Sequence, residues 1–288
     1  MQWYSFLENG QVVSALWIGA FVAAISAMLG VFVVMRGQSF AGHVLTDVGA
    51  SGGAGAFLFG INAWYGFMSF GLLAALGIDL TGDRARNRDV ATGIILTFAM
   101  GLSALFLYLD SQFTASANST MMILFGSIFA IPPIMMPIMI GTTVVEAVLL
   151  FLIFRPLLFS SIQPEMAMTR GVPVRLISLL YMLMLAVAVE NGSIIVGALL
   201  STGLLIGPAA TAVQLTERPV VAMFMAMGIG VVATWTGILL AYFSYNWPPL
   251  GRGYPVSFFI SVIILIVYLL VRVSSFRKGV IANESGIR

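Results

Sequence analysis

Nine stretches of mostly apolar residues alternate with short polar segments along the chain. A transmembrane helix needs about 20 such residues, so each stretch is predicted to span a bilayer. The predicted spans are residues 12–35, 39–60, 63–82, 90–109, 133–154, 174–190, 193–215, 220–244 and 255–273. The predicted fold class is therefore an all-α integral membrane protein, a polytopic bundle of about nine transmembrane helices with eight as the alternative count. Residues 1–288 are expected to form a single transmembrane domain.

The positions of the basic residues predict how this bundle is oriented. Loops on the cytoplasmic side of a membrane retain Lys and Arg. With the N-terminus outside and nine spans, 12 of the 13 Lys and Arg residues fall on the cytoplasmic side, and only Arg252 falls outside. Adding or removing one span would scramble this distribution. We therefore expect an N-terminus outside, a cytoplasmic C-terminus and a location in the bacterial inner membrane.

Composition agrees with a chain that is surrounded by lipid. Hydrophobic residues make up 60% of the sequence and charged residues 8%, whereas a soluble domain carries about 25% charged residues. Nucleic-acid binding is not expected, because the arginines stand singly between apolar runs. The sequence has no cysteine, which excludes disulfides and thiol chemistry. Residues 1–11 contain Glu8 and no basic residue, so the first apolar run is expected to be a retained span rather than a cleaved signal.

Two connections between spans are longer than simple turns. Residues 110–131, on the outer side, contain a polar run and then the apolar stretch Met121–Phe129, which is too short to span and predicts a surface helix at the outer interface. Residues 155–173, on the cytoplasmic side, contain a short helix-compatible segment between Pro164 and Gly171. This segment is either a docking element for another subunit or an ordinary interfacial loop.

The second span carries the strongest candidate for chemistry. His43, the only histidine, lies four residues before Asp47, so both side chains project from one face of the helix. Imidazole and carboxylate together can bind zinc, manganese or ferrous iron, and ionisable residues inside a membrane are candidates for function. The alternative is a structural His–Asp hydrogen bond between helices. Two ligands do not complete a site, so others would come from carbonyls, Ser or Thr, water, or the same helix of a second copy.

Further polar or helix-breaking residues lie in three later spans. Glu146 lies well within the fifth span and is a candidate pathway or helix-pairing residue. Glu190 lies at the outer end of the sixth span, where a solvated helix end is expected and a place in the pathway is the alternative. Pro208, which follows Gly207, removes a backbone hydrogen bond and is expected to bend or break the seventh span. Interrupted spans often line transport pathways, and simple kinked packing is the alternative.

Motifs that the sequence lacks narrow the class of protein. No segment matches the phosphate-binding loop G-x-x-x-x-G-K-[ST], and the only lysine is Lys278. No H-E-x-x-H motif is present either. We therefore expect a protein that is not an enzyme, does not hydrolyse ATP itself and holds no permanently bound cofactor.

Several segments together resemble the membrane subunits of metal-ion ABC importers, the zinc, manganese and iron permease family. Arg36–Asp47 is similar to the family's segment R-x-x-S-F-x-G-D-A-L-S-H, and Leu124–Ile128 resembles its outer L-F-G-S-I stretch. Val196–Ala212 resembles its V-G-x-L-L and L-L-I-x-P-A-A-x-A run. Asp89 with Gly93 resembles the start of an inner-loop helix. Glu165, Ala167 and Gly171 are similar to the positions of its cytoplasmic coupling helix.

The resemblance implies an assembly and a cargo. Two copies of the chain would form the translocation pathway, two ABC ATPase subunits would dock on the segment Glu165–Gly171, and an extracytoplasmic metal-binding protein would deliver a divalent metal. His43 stands where the family has aspartate, and Asp47 where it has histidine. This exchange keeps both ligand types on one helical face and leaves the particular metal open.

Three other functions remain open at the level of sequence. An ABC permease for a metal chelate, such as a siderophore complex, would use His43 and Asp47 only structurally. A proton-coupled secondary transporter would use His43, Asp47 and Glu146 as a relay and would work without an ATPase. A membrane-embedded scaffold would transport nothing.

Overall fold

The computed structural model describes residues 10–80, 85–113, 117–126, 128–248 and 253–285. Residues 1–9, Arg84, Arg252 and Arg288, on which part of the predicted orientation rests, lie outside these ranges. The described residues form eleven α-helices and one short 3₁₀ turn, Ile128–Ala130. The helices are α1 Gly10–Met35, α2 Ser39–Leu58, α3 Ala63–Leu80, α4 Ala85–Phe113, α5 Ala117–Phe125, α6 Met136–Ile162, α7 Pro164–Thr169, α8 Val174–Val196, α9 Ser201–Leu215, α10 Pro219–Ser244 and α11 Val256–Ser285.

Each of the nine predicted spans overlaps one of these helices over most of its length. Within the described residues, seven helices are long and apolar enough to cross a membrane, so the chain is a multi-pass membrane protein. The two others are α2, whose many glycines and polar residues lower its hydropathy, and α9, which has 15 residues. A count of nine spans, with the N-terminus outside and the C-terminus cytoplasmic, therefore stays a prediction.

The predicted boundary between the sixth and seventh spans was wrong. Helix α8 continues through Asn191 and Gly192 and ends at Val196. It ends there because Gly197 adopts a φ of 92°, a left-handed conformation that strongly favours glycine. Residues 197–200 then form a short connection before α9 begins at Ser201.

The two long connections also differ in detail from their predictions. Helix α6 continues through Pro156 to Ile162, so the first half of segment 155–173 is helical rather than a loop. The remainder holds α7, which is followed by Gly171 with a φ of 79°. In segment 110–131 the predicted short helix exists as α5, but Ile123 and Ile128 pack into buried clusters, so the segment is partly embedded rather than lying on the surface.

A backbone contact fastens the end of α5 to the connection between α8 and α9. Ala198 donates its N–H to the carbonyl of Ile123 at 2.9 Å, and Leu199 donates to Leu124 at 3.3 Å. A Cβ atom on Gly197 would overlap the backbone of α5. The bend between α8 and α9 is therefore fixed by a neighbouring element as well as by its own conformation.

The centre of the bundle is formed by α1 and α8, most of whose residues are buried. Helix α9 packs closely on α1, where a Cβ on Gly30 would overlap the carbonyl of Leu205. Helices α4 and α11 lie at the periphery and expose large apolar side chains, including Phe98 and Leu270. These exposed faces suit contact with lipid, since apolar side chains carry no cost there.

Candidate metal site between helices α2, α8 and α9

The predicted pair on α2 has the expected geometry. His43 Nε2 lies 3.5 Å from Asp47 Oδ2, one helical turn along the same face. The His43 side chain is 48% exposed and the Asp47 side chain 18% exposed. The pair therefore opens toward the outside of this chain at His43 and leads inward at Asp47.

Contacts at the start of α2 hold this face in position. Arg36, in the turn before α2, donates hydrogen bonds from its guanidinium to Ser161 at 2.7 Å and to Ser160 at 3.1 Å, both at the end of α6. The same guanidinium lies 4.8 Å from the centre of the Tyr181 ring on α8. The chain then turns at Gly37, whose φ of 64° is left-handed, and α2 begins two residues later. The turn is thus anchored to α6 and α8, which sets the direction of α2.

Small residues bring α2 and α3 into backbone contact. A Cβ on Gly52 would overlap the carbonyl of Gly66, and a Cβ on Gly66 would overlap that of Gly52. Glycine at both positions lets two helices approach more closely than larger side chains allow. The glycine-rich composition of α2 thus serves close packing.

Glu190 differs most from its prediction. The sequence placed it at a solvated helix end, but its exposed fraction is 0%. Its carboxyl lies between Gly49 on α2 and Gly71 on α3, and a Cβ on either glycine would overlap it. Within the described part of the chain, neither carboxyl oxygen has a hydrogen-bond partner. The prediction failed because α8 extends one and a half turns beyond Glu190, which keeps that residue inside the bundle.

A chain of buried hydroxyls, which the sequence analysis did not single out, joins the three helices. Ser193 on α8 donates to Ser201 at 3.1 Å, and Ser201 at the start of α9 donates to Thr46 on α2 at 3.3 Å. Thr46 in turn donates to the carbonyl of Gly42 at 3.1 Å. Thr46 precedes Asp47, and Ser193 lies three residues after Glu190, so the chain fixes α2 and α8 relative to each other beside both acidic residues.

Asn191 forms a second polar link on the other side of α8. Its side-chain oxygen accepts a hydrogen bond from the Trp64 indole at 3.2 Å, and its amide donates to Thr142 at 3.1 Å. The residue therefore ties α3 to α6 through α8. The sequence suggested a turn at Asn191 and Gly192, and an amide followed by glycine gives no signal for such a buried bridge.

Glu146 lies apart from the His43–Asp47 pair. It is buried on α6, with its carboxyl facing the backbone of α8 at Ala188. It lines a groove of about 500 Å³ formed only by residues of α6 and α8. This position suits the helix-pairing interpretation of Glu146 better than the pathway interpretation.

Of the bend or break predicted at Gly207 and Pro208, the break does not occur, and the bend stays a prediction. Helix α9 continues without interruption from Ser201 to Leu215, and Pro208 is buried within it. The interruption lies upstream, at residues 197–200, where Gly197 ends α8. Proline marked the correct span but the wrong residue, because a proline inside a packed helix can be accommodated where neighbours satisfy the freed carbonyl.

The predicted cytoplasmic segment forms a short, exposed element. Glu165 in α7 is exposed, as are Met166 and Met168, while Ala167 is fully buried beneath them. Gly171 is also exposed, and a Cβ there would meet no atom within 4 Å. Its glycine is thus explained by its φ of 79° rather than by crowding. The element exposes Glu165 and two methionines, and Arg170, which follows it directly, is exposed as well.

Among the described residues, no three His, Cys, Asp or Glu side chains are close enough to hold one metal ion. One chain in this conformation therefore offers His43 and Asp47 as a two-ligand site. A third ligand has to come from another residue after a small movement, from water, or from another chain.

The chain is similar in sequence and in structure to known proteins. Residues 9–274 match the model of the ABC 3 transport family. The manganese transport system membrane protein MntC of Listeria monocytogenes is 31% identical over 271 residues, which cover 92% of this chain and 91% of MntC. The chelated iron transport system membrane protein YfeC of Yersinia pestis is 29% identical and covers 81% of this chain and 78% of YfeC. PsaBC from Streptococcus pneumoniae, solved in complex with Fab, superposes with a TM-score of 0.78 at 26% identity over 92% of both chains.

Proposed function

Because this chain belongs to the ABC 3 transport family, we propose that it is the permease subunit of an ATP-driven importer for a divalent transition metal. The observation that carries this proposal is the His43–Asp47 pair, with its ring nitrogen and carboxylate oxygen 3.5 Å apart on one face of a membrane-embedded helix. A neutral imidazole and a carboxylate are suitable ligands for manganese, iron or zinc. Placing two ionisable groups within a membrane is costly, so residues of this kind are candidates for function.

The functional unit is a homodimer. One chain contributes two ligands, and His43 leaves nearly half of its side chain uncovered. A second copy facing the first would bring two imidazoles and two carboxylates together, enough for the four to six ligands that transition metals take. The open side of α2 is then the dimer interface along the pathway.

The energy comes from a separate ATPase subunit that docks on α7. The exposed residues Glu165, Met166 and Met168 offer an acidic and apolar surface over the buried Ala167. An extracytoplasmic binding protein delivers the metal to the outer face of the permease. With nine spans and the N-terminus outside, α7 lies in the cytoplasm, as docking requires, and the complex lies in the bacterial inner membrane.

The test is metal accumulation in metal-depleted cells that express the chain with its ATPase and binding protein. Elemental mass spectrometry after a pulse of manganese, zinc and iron compares wild type with His43→Ala and Asp47→Ala at matched membrane levels. We expect one metal to accumulate in wild type only, and only with an active ATPase. If both variants accumulate metal like wild type, His43 and Asp47 are not pathway ligands. Uptake without the ATPase would instead support a proton-coupled secondary transporter.

Import of a metal chelate is the second candidate, favoured by the relative named for chelated iron transport. In that case the cation arrives with its own ligands, and His43 and Asp47 have no bond to make. Accumulation of iron supplied as a chelate, undiminished in both variants and absent with free ions, would support this candidate over the first.

A further inference from the structure

We infer that Glu190 is a further ligand for the transported cation, and that with Asp47 it forms a buried carboxylate station behind the His43–Asp47 pair. The inference rests on the proposed metal transport and extends it with a residue on a different helix. It also narrows the cargo, because it changes the ligand set from one carboxylate per chain to two.

The first argument is that Glu190 is buried with nothing to satisfy it. Its exposed fraction is 0%, and within the described residues neither of its carboxyl oxygens accepts or donates a hydrogen bond. Buried polar groups are nearly always paired, and an unpaired buried carboxyl is costly. The carboxyl oxygens of the buried Glu146 also have no hydrogen-bond partner among the described residues, so it is the additional position of Glu190 beside α2 that points to a passing cation as its partner.

The second argument is that the surrounding helices are shaped to admit this carboxyl. Gly49 on α2 and Gly71 on α3 both face it, and a single Cβ on either would overlap the carboxyl. Two glycines from two helices thus form a notch that accommodates the carboxyl of Glu190. Gly101 on α4, by contrast, is a helical glycine with no atom within 4 Å of its would-be Cβ.

The third argument is the charge beside Glu190. The Glu190 carboxyl contacts α2 at Gly49, two residues after Asp47, the inner member of the proposed ligand pair. Two carboxyl groups near each other in a medium of low dielectric repel when ionised. A divalent cation placed between them removes that repulsion, so this position favours a cation more than either carboxyl alone.

The hydroxyl chain from Ser193 through Ser201 to Thr46 fixes the position of α2, which carries Asp47, relative to α8, which carries Glu190. It joins the residue next to Asp47 with a residue one turn from Glu190. Hydroxyl oxygens at the same level are themselves suitable oxygen ligands for a hard cation. The two carboxyl groups therefore lie on helices whose relative position is fixed, with hydroxyl groups nearby.

The three side chains act in sequence rather than as one cluster. No group of three such ligands is gathered among the described residues, and exposure falls from 48% for His43 through 18% for Asp47 to 0% for Glu190. With the N-terminus outside, α2 runs from the cytoplasmic side at Ser39 to the outer side at Leu58, so an imported cation meets the second station, formed by Asp47 and Glu190, before it reaches His43. Because carboxylate oxygens suit manganese while imidazole suits zinc, the second station favours Mn²⁺ relative to Zn²⁺ more than the His43–Asp47 pair does.

The experiment measures Mn²⁺ binding to the full chain purified with its ATPase, using the loss of the electron paramagnetic resonance signal of free Mn²⁺, with Zn²⁺ as competitor. The test variant is Glu190→Gln, which keeps the shape and removes the charge. The matched control is Glu146→Gln, which neutralises another buried carboxyl on a different helix pair. We expect Glu190→Gln to weaken Mn²⁺ binding about tenfold or more, to change Zn²⁺ binding less, and Glu146→Gln to bind like wild type.

If Glu190→Gln binds Mn²⁺ with wild-type affinity and keeps the wild-type ratio of Mn²⁺ to Zn²⁺ affinity, the inference is overturned and Glu190 is a structural residue. His43→Ala and Asp47→Ala in the same assay separate this failure from failure of the proposed function. If these two variants lose binding while Glu190→Gln does not, only the second station is wrong; if all three bind normally, metal transport through the pair is wrong as well. If Glu190→Gln does not assemble, Glu190→Asp withdraws the carboxyl by one methylene, and an unchanged metal preference there would equally refute the inference.

Discussion

Replacing Gly49 by alanine tests the packing on which the account of Glu190 rests. The added Cβ would overlap all three atoms of the Glu190 carboxyl, and Gly71 blocks that carboxyl from the opposite side. Overpacking of this kind costs about 1–3 kcal/mol. Alanine also gains about 0.5–1 kcal/mol over glycine within a helix. We therefore expect a net destabilisation of about 1–2 kcal/mol, seen as a thermal midpoint a few degrees below wild type for the purified complex in detergent.

A double-mutant cycle assigns the loss to Glu190. In a Glu190→Ala background the carboxyl is gone, so Gly49→Ala meets no obstacle and is expected to be neutral or stabilising. The difference between the two backgrounds should be about 0.5–3 kcal/mol, the range for residues in direct contact. Gly101→Ala, at an open helical position, should not lower the midpoint. If Gly49→Ala lowers the midpoint equally in both backgrounds, or not at all, Glu190 does not occupy the notch between α2 and α3.

Three further predictions test other parts of the structure. Gly197→Ala combines a φ of 92° with overlap of the α5 backbone, whereas Gly60→Ala combines a φ of 66° with open space around the new Cβ. We therefore expect far less assembled protein in membranes for Gly197→Ala than for Gly60→Ala. Equal yields of the two variants would contradict the backbone contact. Asn191→Ala leaves the Trp64 indole N–H without its partner, which should cost about 1–3 kcal/mol and lower the thermal midpoint, so an unchanged midpoint would refute the bridge. Ala167→Leu adds bulk under the fully buried centre of α7 and should reduce metal-stimulated ATP hydrolysis at wild-type assembly, whereas full stimulation would argue against docking at α7.

The positions of the long helices could be predicted from the sequence because lipid imposes a simple rule. A run of about 20 apolar residues has few alternatives to a spanning helix, and each of the nine runs lies mostly on one helix. The pair His43 and Asp47 could be predicted for a similar reason, since a spacing of four residues fixes two side chains on one face of any helix. Both predictions use information that is local in the sequence.

The environment of Glu190 could not be predicted, because it depends on residues far away in the chain. Its burial depends on Gly49 and Gly71 in two other helices, and on the extension of α8 to Val196. The end of α8 depends on Gly197, which the sequence does not distinguish from the glycines inside helices. Pro208 was the stronger local signal for a break, yet its helix stays continuous because packing outweighs the local preference.

The most direct test of the central claim is uptake of Mn²⁺ into proteoliposomes that contain only the purified chain, its ATPase and its binding protein. Uptake with ATP inside is compared for wild type, His43→Ala and Asp47→Ala, each with its rate of ATP hydrolysis. The account predicts ATP-dependent accumulation in wild type and its loss in both variants while the complexes stay assembled. Equal accumulation in all three proteins would contradict a pathway through His43 and Asp47.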